Sequence, residues 1–506
     1  MTNKTLQDKY LHLEVSVLKL SEVKKDNESF RIDSEYLRQE YLYLKNILLQ
    51  KPYEYLSQLV SYNSRYSQPI YDEKSKMKVI NSQYIRNEFI DYENAKTGYG
   101  KVVPKESVLI NSTGIGTLGR VNINLLDFDF SIDSHINVLV IKDRAILNPY
   151  FLMIFLQTKY GQSQINRYYS GTSGQIEIYP KDFNYFIIPI FPMSFQLEIE
   201  RLVKDSHKAL ESSKALYKEA EALLYEALGL DSKNPLQSIL NTSCKSLNKH
   251  LNMDCHKFDK LNSCNDEAVS PNYTIATLKE SFLKTGRLDA EYYQSKYEDI
   301  ETKIHNFPTI KLMDLVQYPI TSGATPKAGG SDYTDSENGI PFLRAVDLKN
   351  ARVDIANLLY IKPETHAKSL KRTKLTKGDV LFSIAGVIGR CAIFDYDFEA
   401  NINQALAILR FTESKGIKRL YLIAFFNSQF GQIYLERYSR QGLQTNLNLD
   451  EVGNLEIPII DSTTQAQIAT HIQKSFELRA EAKNLLESAK AKVESALNNA
   501  NNGGGG

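Results

Sequence analysis

The chain has 506 residues, of which 42% are hydrophobic, 24% charged and 10% aromatic. That is an ordinary composition for a soluble globular protein, and the length allows two to four domains. Its 61 Lys and Arg residues nearly balance its 60 Asp and Glu residues, so a case for nucleic-acid binding must rest on local patches. No apolar run approaches the length of a membrane span, and the polar N-terminus has no signal-peptide core, so we expect a cytoplasmic protein.

The first 192 residues are predicted to form a strand-rich mixed domain with an N-terminal extension. Short apolar runs between turn residues indicate strands at residues 78–80, 107–110, 137–141 and 186–190. A helix is expected among them, over residues 150–159, because the Asn148-Pro149 pair is a typical helix start.

Three patterns in this domain resemble catalytic or cofactor motifs. Gly114-Ile-Gly116-Thr-Leu-Gly119 has dinucleotide-loop spacing, but strand-like residues follow it where that fold needs a helix, so we interpret it as a turn. Asn148-Pro149-Tyr150-Phe151 is one proline short of the adenine methyltransferase signature and opens a helix. His135 alone does not indicate a triad. We therefore expect no catalytic residue and no cofactor site in this chain.

A first long helix is predicted within residues 193–230. Residues 196–228 contain no Gly or Pro, and Gly229 suits a helix C-terminus. Small and apolar residues recur every three or four positions, which is typical of a packed helical seam; they are Ile199, Leu202, Ser206, Ala209, Ser213, Leu216, Ala220, Leu223 and Ala227.

A polar linker is predicted over residues 231–270. It holds three cysteines and two histidines, namely Cys244, Cys255, Cys264, His250 and His256. Their spacings match no common zinc-binding pattern, in which ligands come in close pairs. We expect no metal site there, and four cysteines in the whole chain suit a reducing compartment.

The second half repeats the first at an offset of about 256 to 272 residues. The matched pairs occur in the same order; they include Arg31/Arg287, Asp33/Asp289, Tyr36/Tyr292, Val108/Val380, Gly119/Gly389, Gly161/Gly431 and Ile188/Ile457. The repeat predicts a second domain over residues 271–460, a second long helix within 461–499, and a flexible glycine-rich tail at 500–506. Because the framework repeats while the intervening residues diverge, we expect two similar scaffolds that bind two different ligands of one kind.

The two helices are expected to pack on each other as an antiparallel pair, although each could instead pack on its own domain. The predicted fold class is α+β, with two similar strand-rich mixed α/β domains separated by two long helices that form an antiparallel coiled coil. The whole chain would then have an internal pseudo-twofold repeat.

This organisation resembles the specificity subunits of type I restriction–modification systems. The residues that carry the resemblance are Ser322-Gly323-Ala-Thr325-Pro326, Gly339-Ile-Pro341-Phe-Leu343, Lys377-Gly-Asp-Val380-Leu, Gly389-Arg390, Gly442-Leu-Gln444-Thr-Asn446-Leu, Ile457-Pro458 and Gln465-Ala-Gln467-Ile468. The first half is a weaker match, with Ser61-Tyr-Asn-Ser-Arg65 in place of the Ser-Gly-x-Thr-Pro opening.

The resemblance implies that each domain recognises one half of a split sequence in double-stranded DNA and that the helices form a spacer. It implies two methyltransferase subunits as partners, which bind S-adenosylmethionine and methylate adenine, and possible motor–nuclease subunits that cleave DNA. The chain itself would catalyse nothing. The alternatives are a non-catalytic coiled-coil scaffold protein and a recognition-plus-methyltransferase fusion enzyme, for which the two halves leave no room.

DNA contacts are expected from Lys and Arg at phosphates and from Gln, Asn, Lys and Arg at base edges. Residues 362–377 hold six Lys or Arg against one acid, Glu364. The candidate DNA-binding residues of the first half are Lys96, Lys101, Lys105, Arg120, Arg167, Tyr168 and Gln175. Those of the second half are Lys368, Lys371, Arg372, Lys374, Lys377, Arg390, Arg437, Tyr438, Gln444 and Asn446. Basic residues that both halves share would bind the DNA backbone, because the same residue in both halves cannot distinguish two DNA sequences.

Overall fold

A computed structural model describes residues 18–24, 27, 31–171, 175–235, 277–283, 286–327, 330–355, 358–439 and 445–499. The chain divides into two compact units. The first unit comprises residues 1–212 and 478–506, and the second comprises residues 213–477. In the part of the chain that the structure describes, no helix has both the length and the apolar character needed to cross a membrane.

The described residues of the first unit form short strands and several helices. The strands are β1 (Tyr53–Tyr55), β2 (Val60–Arg65), β3 (Ile70–Tyr71), β4 (Lys78–Ile80), β5 (Lys96–Tyr99), β6 (Val108–Asn111), β7 (Val121–Ile123), β8 (Phe130–Ile132), β9 (Ile136–Ile141) and β10 (Ile187–Pro189). The helices span Leu20–Lys24, Gln39–Leu49, Leu56–Leu59, Pro149–Gln157, Lys159–Tyr168 and Pro180–Phe183.

The second unit repeats most of these elements in the same order and adds strands β15 and β16 and a short helix at Pro363–Ala367. Its strands are β11 (Thr309–Lys311), β12 (Thr321–Ser322), β13 (Tyr333–Thr334), β14 (Ile340–Leu343), β15 (Leu348–Lys349), β16 (Arg352–Val353), β17 (Leu359–Ile361), β18 (Val380–Ser383), β19 (Cys391–Ile393), β20 (Asn401–Ile402), β21 (Leu406–Leu409) and β22 (Glu456–Pro458). Its helices span Ser295–His305, Leu312–Leu315, Pro363–Ala367, Arg419–Asn427, Gln429–Tyr438 and Leu449–Gly453. Single helical turns lie at Lys279–Leu283, Ala290–Tyr293, Ala345–Asp347, Lys371–Thr373 and Glu413–Lys415.

The sheet topology confirms the sequence repeat. The first unit contains an antiparallel sheet of order β2-β9-β6-β7, a mixed sheet of order β3-β5-β4-β8, and the pair β1-β10. The second unit reproduces these as β12-β21-β18-β19, β13-β17-β14-β20 and β11-β22, and adds β16 and β15 beside β19. In each mixed sheet one pair is parallel, β4 with β8 and β14 with β20. The units therefore share a mixed α/β fold.

The central strands are continuously apolar because both of their faces are covered. In β6, Val108 and Ile110 pack toward the helices, while Leu109 packs with Ile80 and Phe130 toward the mixed sheet. The strand β18 of the second unit alternates in the same way. Each unit is therefore a three-layer domain of helices, antiparallel sheet and mixed sheet.

The predicted helix after Asn148 is present, and the Asn148 side chain caps it by accepting a hydrogen bond from the backbone N–H of Tyr150. A second helix follows directly, which the sequence reasoning did not place. Thr158 caps that helix, and Ser428 caps its counterpart. Gly161 and Gly431 lie in the second helix of each pair. A Cβ atom at either position would lie within 2.5 Å of the backbone of the preceding helix, so the two helices can approach this closely only where the residue is glycine.

An ion pair at the start of each domain holds an arginine that also bonds the domain core. Arg31 binds Asp33 at 2.8 Å and donates to the carbonyl of Tyr169. Arg287 binds Asp289 at 2.9 Å and donates to the carbonyl of Tyr438. These repeated residues thus hold the start of each domain against the end of the helix Lys159–Tyr168 or of its counterpart Gln429–Tyr438.

The two predicted long helices span Met193–Ala227 and Ser462–Asn498. Each is anchored by a buried glutamine near its start. Gln196 accepts from the backbone N–H of Asn148 and donates to the carbonyl of Ile146. Gln465 accepts from the N–H of Lys418 and donates to the carbonyl of Gly416. The glutamine therefore fixes the direction in which each helix leaves the sheet.

Each unit contains a part of both long helices. In the first unit, Ser206 donates to the carbonyl of Ala482 at 2.7 Å, and Glu198 pairs with Lys492 at 2.7 Å. In the second unit, the hydroxyls of Ser213 and Ser475 lie 2.9 Å apart. Small residues at these contacts allow a close approach, and within each unit the two helical segments run antiparallel.

Candidate nucleic-acid interface

The glycine-rich loop between β6 and β7 is a turn, and a strand follows it. Gly114, Gly116 and Gly119 all have left-handed backbone conformations, with φ of 92°, 77° and 79°. The counterpart between β18 and β19 turns on Gly386 and Gly389, with φ of 79° and 78°. A dinucleotide-binding loop would require a helix at this place.

A second loop lies against this turn in each unit. In the first unit the N–H of Gly114 donates to the carbonyl of Ile176 at 3.0 Å. In the second unit the N–H of Gly386 donates to the carbonyl of Thr445 at 3.2 Å, and Ala385 bridges Asn446. Two loops with different side chains are thus held together by the same backbone contacts, and we call this arrangement the loop pair.

Exposed side chains surround the loop pair. Ile115 and Val387 lie at the turns and are 69% and 49% exposed. Gln175 and Asn446 are exposed on the second loop of each pair. The third predicted residue of these loops, Gln444, lies outside the described residues.

The loop pair of the first unit has polar support that the sequence reasoning did not assign. Arg65 on β2 forms an ion pair with Glu177 and donates to the carbonyl of Ile178. The Nδ1 atom of His135 lies 2.9 Å from the hydroxyl of Thr113, so the turn is anchored at both ends. The sequence feature that could have indicated this role is the position of Arg65. It lies in the segment that replaces the Ser-Gly-x-Thr-Pro opening of the second half.

The two arginines that follow the glycine turns differ in exposure. Arg120 is half-buried and donates to the carbonyl of Gly116 at 2.6 Å. Burial and the nearby Arg86 lower the pKa of Arg120 from its ordinary value. Arg390 is exposed, so its guanidinium is available to a phosphate.

The Arg-Tyr pairs that repeat in both halves point into their domains. Arg167 is 6% exposed, and its guanidinium lies 4.4 Å from the ring centre of Tyr36. Tyr168 meets the same ring edge-on at 5.7 Å. These contacts join the helix end to the N-terminal segment, so their burial favours a structural role. DNA contact by this pair stays a prediction.

The second-half pair is held in the same way. Arg437 is 8% exposed, lies 4.6 Å from the ring centre of Tyr292 and pairs with Glu301 at 2.8 Å. The hydroxyl of Tyr438 donates to Glu301 at 2.7 Å, and burial raises the pKa of Tyr438. The recurrence of these residues is therefore accounted for by packing.

The predicted lysines of the first unit are all exposed, but each has a partner. Lys96 lies 5.9 Å from the ring centre of Tyr71. Lys101 lies between two tyrosines, Tyr62 and Tyr66, at 4.6 and 4.7 Å. Lys105 forms an ion pair with Asp127. Lys96 and Lys101 keep exposed ammonium groups beside these rings, so they remain available to phosphates of DNA.

The second unit carries a basic segment (residues 362–374) between β17 and β18. Lys368, Lys371 and Arg372 are exposed on it, and Lys374 is half-buried. The matching connection of the first unit, residues 100–107, is much shorter. The second unit therefore presents a denser group of exposed cations than the first.

Buried polar contacts hold the basic segment on the domain. Thr365 donates to Asp332 at 2.7 Å, and Thr373 donates to Asn401 at 2.6 Å. His366 is 3% exposed, and burial together with Lys374 lowers the pKa of His366 from its ordinary value. The buried imidazole therefore belongs to the anchoring of this segment.

The cysteine and histidine cluster of the predicted linker, with Cys244, His250, Cys255, His256 and Cys264, lies outside the described residues. Among the residues that the structure describes, no three His, Cys, Asp or Glu side chains are grouped so as to hold a metal ion.

The family model for the type I restriction modification DNA specificity domain matches residues 56–222 and 305–488. The chain therefore belongs to this family. A segment of 168 residues is 29% identical to the type I restriction enzyme EcoBI specificity subunit of Escherichia coli, so the chain spans about a third of the length of that relative (34%).

Solved structures of type I restriction–modification proteins are also similar to this chain. The S subunit from M. genitalium is 15% identical, with 88% of this chain and 94% of that chain covered and a TM-score of 0.39. The HsdS subunit from Thermoanaerobacter tengcongensis is 13% identical, with 88% and 96% covered and a TM-score of 0.25.

Proposed function

We propose that this chain is the DNA-specificity subunit of a type I restriction–modification complex and that it recognises a bipartite sequence in double-stranded DNA. Each unit would recognise one half of the target. The observation that carries the proposal is the loop pair, because the same backbone contacts present different side chains in the two units. Two frameworks with different reading surfaces suit a target whose two halves differ in sequence.

Within each unit we assign base contacts to the loop pair and backbone contacts to the exposed cations. The base-contacting residues would be Gln175 in the first unit and Asn446 in the second, whose amides match adenine edges in the major groove. Phosphate contacts would come from the lysines beside tyrosine in the first unit and from the basic segment and Arg390 in the second.

The long helices would form a spacer between two recognition domains, residues 1–192 and 271–460. The antiparallel contacts within each unit support this proposal, since paired helices are stiffer than either helix alone. A helix of 35 residues is about 52 Å long. A spacer of fixed length would set the number of base pairs between the two half-sites.

The chain would perform no chemistry itself. Two methyltransferase subunits would bind it, carry S-adenosylmethionine and methylate adenine, and motor–nuclease subunits would join them for cleavage in the cytoplasm. Because the assignment rests on binding, it is tested by reconstitution. Methyl transfer to a target duplex should require both this chain and the methyltransferase subunit, and each alone should be inactive. Methyl transfer by the highly purified chain alone would instead indicate a fusion enzyme. A mixture that neither binds nor modifies any duplex would favour a protein scaffold.

A further inference from the structure

Two of the lysines that the sequence suggested for DNA contact are held in the same ion pair in both units. Lys105 binds Asp127, and Lys377 binds Asp397 at 3.1 Å. Both aspartates are highly exposed, at 86% and 84% of the side chain. A phosphate approaching either lysine would meet a carboxylate beside it, so these lysines are poor phosphate ligands.

The backbone shows that the two ion pairs occupy equivalent places. In the first unit the N–H of Glu106 donates to the carbonyl of Asn124, and in the second the N–H of Gly378 donates to the carbonyl of Phe394, both at 2.8 Å. The residue after each lysine has a left-handed conformation, with φ of 60° at Glu106 and 90° at Gly378. The two turns therefore match in geometry as well as in sequence order.

An exposed phenylalanine follows each aspartate. Phe128 is 45% exposed and rests edge-on against Tyr92 at 5.2 Å. Phe398 is 37% exposed and rests against Phe394 and Tyr396, at 5.6 and 5.0 Å. Each unit thus presents a phenyl ring beside a Lys–Asp pair, and we call this group the repeated surface (Lys105, Asp127 and Phe128; Lys377, Asp397 and Phe398).

The repeated surface lies near the same turn of the long helix that starts in each domain. The pKa of the Asp127 carboxyl is lowered mainly by Lys105, and the imidazole of His207 on the first long helix is near enough to add a smaller lowering. In the second unit Tyr396 donates to the carbonyl of Val353, and the neighbouring Arg352 lies 5.0 Å from the ring centre of Phe476. His207 and Phe476 both stand 11 residues after the anchoring glutamine of their helix.

Neither folding nor sequence recognition accounts for this repetition. Exposed ion pairs contribute little to stability, and an exposed phenyl ring is unfavourable in water. A surface that is the same in both units cannot distinguish two half-sites. It suits a ligand that is itself present twice, and the aromatic ring indicates a protein, since exposed aromatics commonly anchor protein interfaces.

We propose that the repeated surface is the docking site for the methyltransferase subunit, with one copy bound on each unit. This rests on the proposed function, from which the pair of identical partners follows. The partner would offer an apolar pocket for the phenyl ring, bordered by a cation that meets the aspartate and an anion that meets the lysine. Both charges are exposed, so the interface would be complementary to the partner in charge as well as in shape.

The test counts the copies of partner bound to the full chain. Native mass spectrometry with the methyltransferase subunit of the same system should find two copies on the wild type. Phe128→Ser and Phe398→Ser should each leave one copy bound tightly, with the second site weakened by about 10- to 100-fold. The double variant should bind neither copy at the same concentration. Asp127→Lys and Asp397→Lys test the same sites by charge reversal, without changing the phenyl rings.

Ile70→Ser and Val346→Ser are the matched controls, because both remove an exposed apolar side chain outside the repeated surface. They should bind two copies, and the Phe and Asp variants should bind target DNA as the wild type does and keep its melting temperature. Phe and Asp variants that still bind two copies at wild-type affinity would overturn the docking assignment alone. A wild-type chain that binds target DNA but no methyltransferase subunit would overturn the proposed function and the docking site with it.

Discussion

The basic segment of the second unit should govern how DNA binding depends on salt. Lys368, Lys371 and Arg372 are exposed there, and the structure gives none of these three an ion-pair partner among the described residues. Replacing all three by Ala should remove phosphate contacts while leaving the loop pair intact. Affinity for the target should therefore fall, but discrimination between the target and a duplex altered in one half-site should stay the same.

The size of the effect follows from counterion release. Each phosphate contact contributes about 0.9 to the slope of log K against log salt, so three contacts contribute up to about 2.7. Between 50 and 200 mM salt, the wild type should lose about 40-fold more affinity than the triple variant. Fluorescence anisotropy with a labelled target duplex, titrated at several salt concentrations, measures this difference directly.

Lys377→Ala is the matched control, because Asp397 already binds that ammonium group. The salt slope of this variant should stay close to that of the wild type. A triple variant with an unchanged slope would refute the assignment of phosphate contacts to the basic segment. A reduced slope in Lys377→Ala would show that the ion pair opens to admit a phosphate.

Four further outcomes are expected from the structure. Asn446→Ala should change recognition of one half-site only, as measured by binding to duplexes altered in either half. Gln465→Leu should lower the free energy of unfolding by about 3 kcal/mol, since buried backbone groups lose their partner, whereas the exposed Gln467→Ala should change it little in urea titrations. Because folding lowers the pKa of His366, the unfolded state binds more protons than the folded state below pH about 6.5. The free energy of unfolding should therefore fall as the pH drops below that value. His366→Phe should make the free energy of unfolding depend less on pH in this range. Adding four residues after Ser213, and four at the facing position of the second long helix, should lengthen the preferred gap between half-sites by about one or two base pairs, because four residues add about 6 Å.

Each of these outcomes can fail separately. A change at both half-sites in the Asn446 variant would contradict independent recognition by the two units. Equal losses of stability in the two glutamine variants would contradict the anchoring role of the buried amide. An unchanged pH dependence without the imidazole would place the titrating group elsewhere. An unchanged gap in a fully active insertion variant would show that the helices do not set the distance.

Local patterns predicted the repeat and the long helices well. The absence of Gly and Pro over residues 196–228, with a small-residue seam, predicted a helix that the structure places at Met193–Ala227. The framework repeat predicted a shared topology, which the paired strand orders confirm. These features depend on neighbours in sequence, so they can be read from a single chain.

The site was harder to predict, because its geometry depends on distant contacts. The sequence gives no sign that Lys105 and Lys377 are paired. Their ion-pair partners, Asp127 and Asp397, lie 22 and 20 residues further along the chain. The repetition of Arg167 indicated a contact with the DNA backbone, and the structure adds that its side chain packs on Tyr36, 131 residues earlier. A residue that recurs in both units has a role that the units share. The exposed fraction of its side chain is then needed to distinguish a packing role from a role in DNA binding.

Mapping methylated adenines across the genome tests the central claim most directly. Cells that contain this chain should show a split motif whose two halves are separated by a constant gap, and deleting its gene should remove methylation at that motif alone. Restoring the gene with Asn446→Ala should return methylation to a motif altered in one half only. Methylation that is unchanged by the deletion, or a motif that is continuous and unsplit, would contradict the assignment of this chain as the reader of a bipartite target.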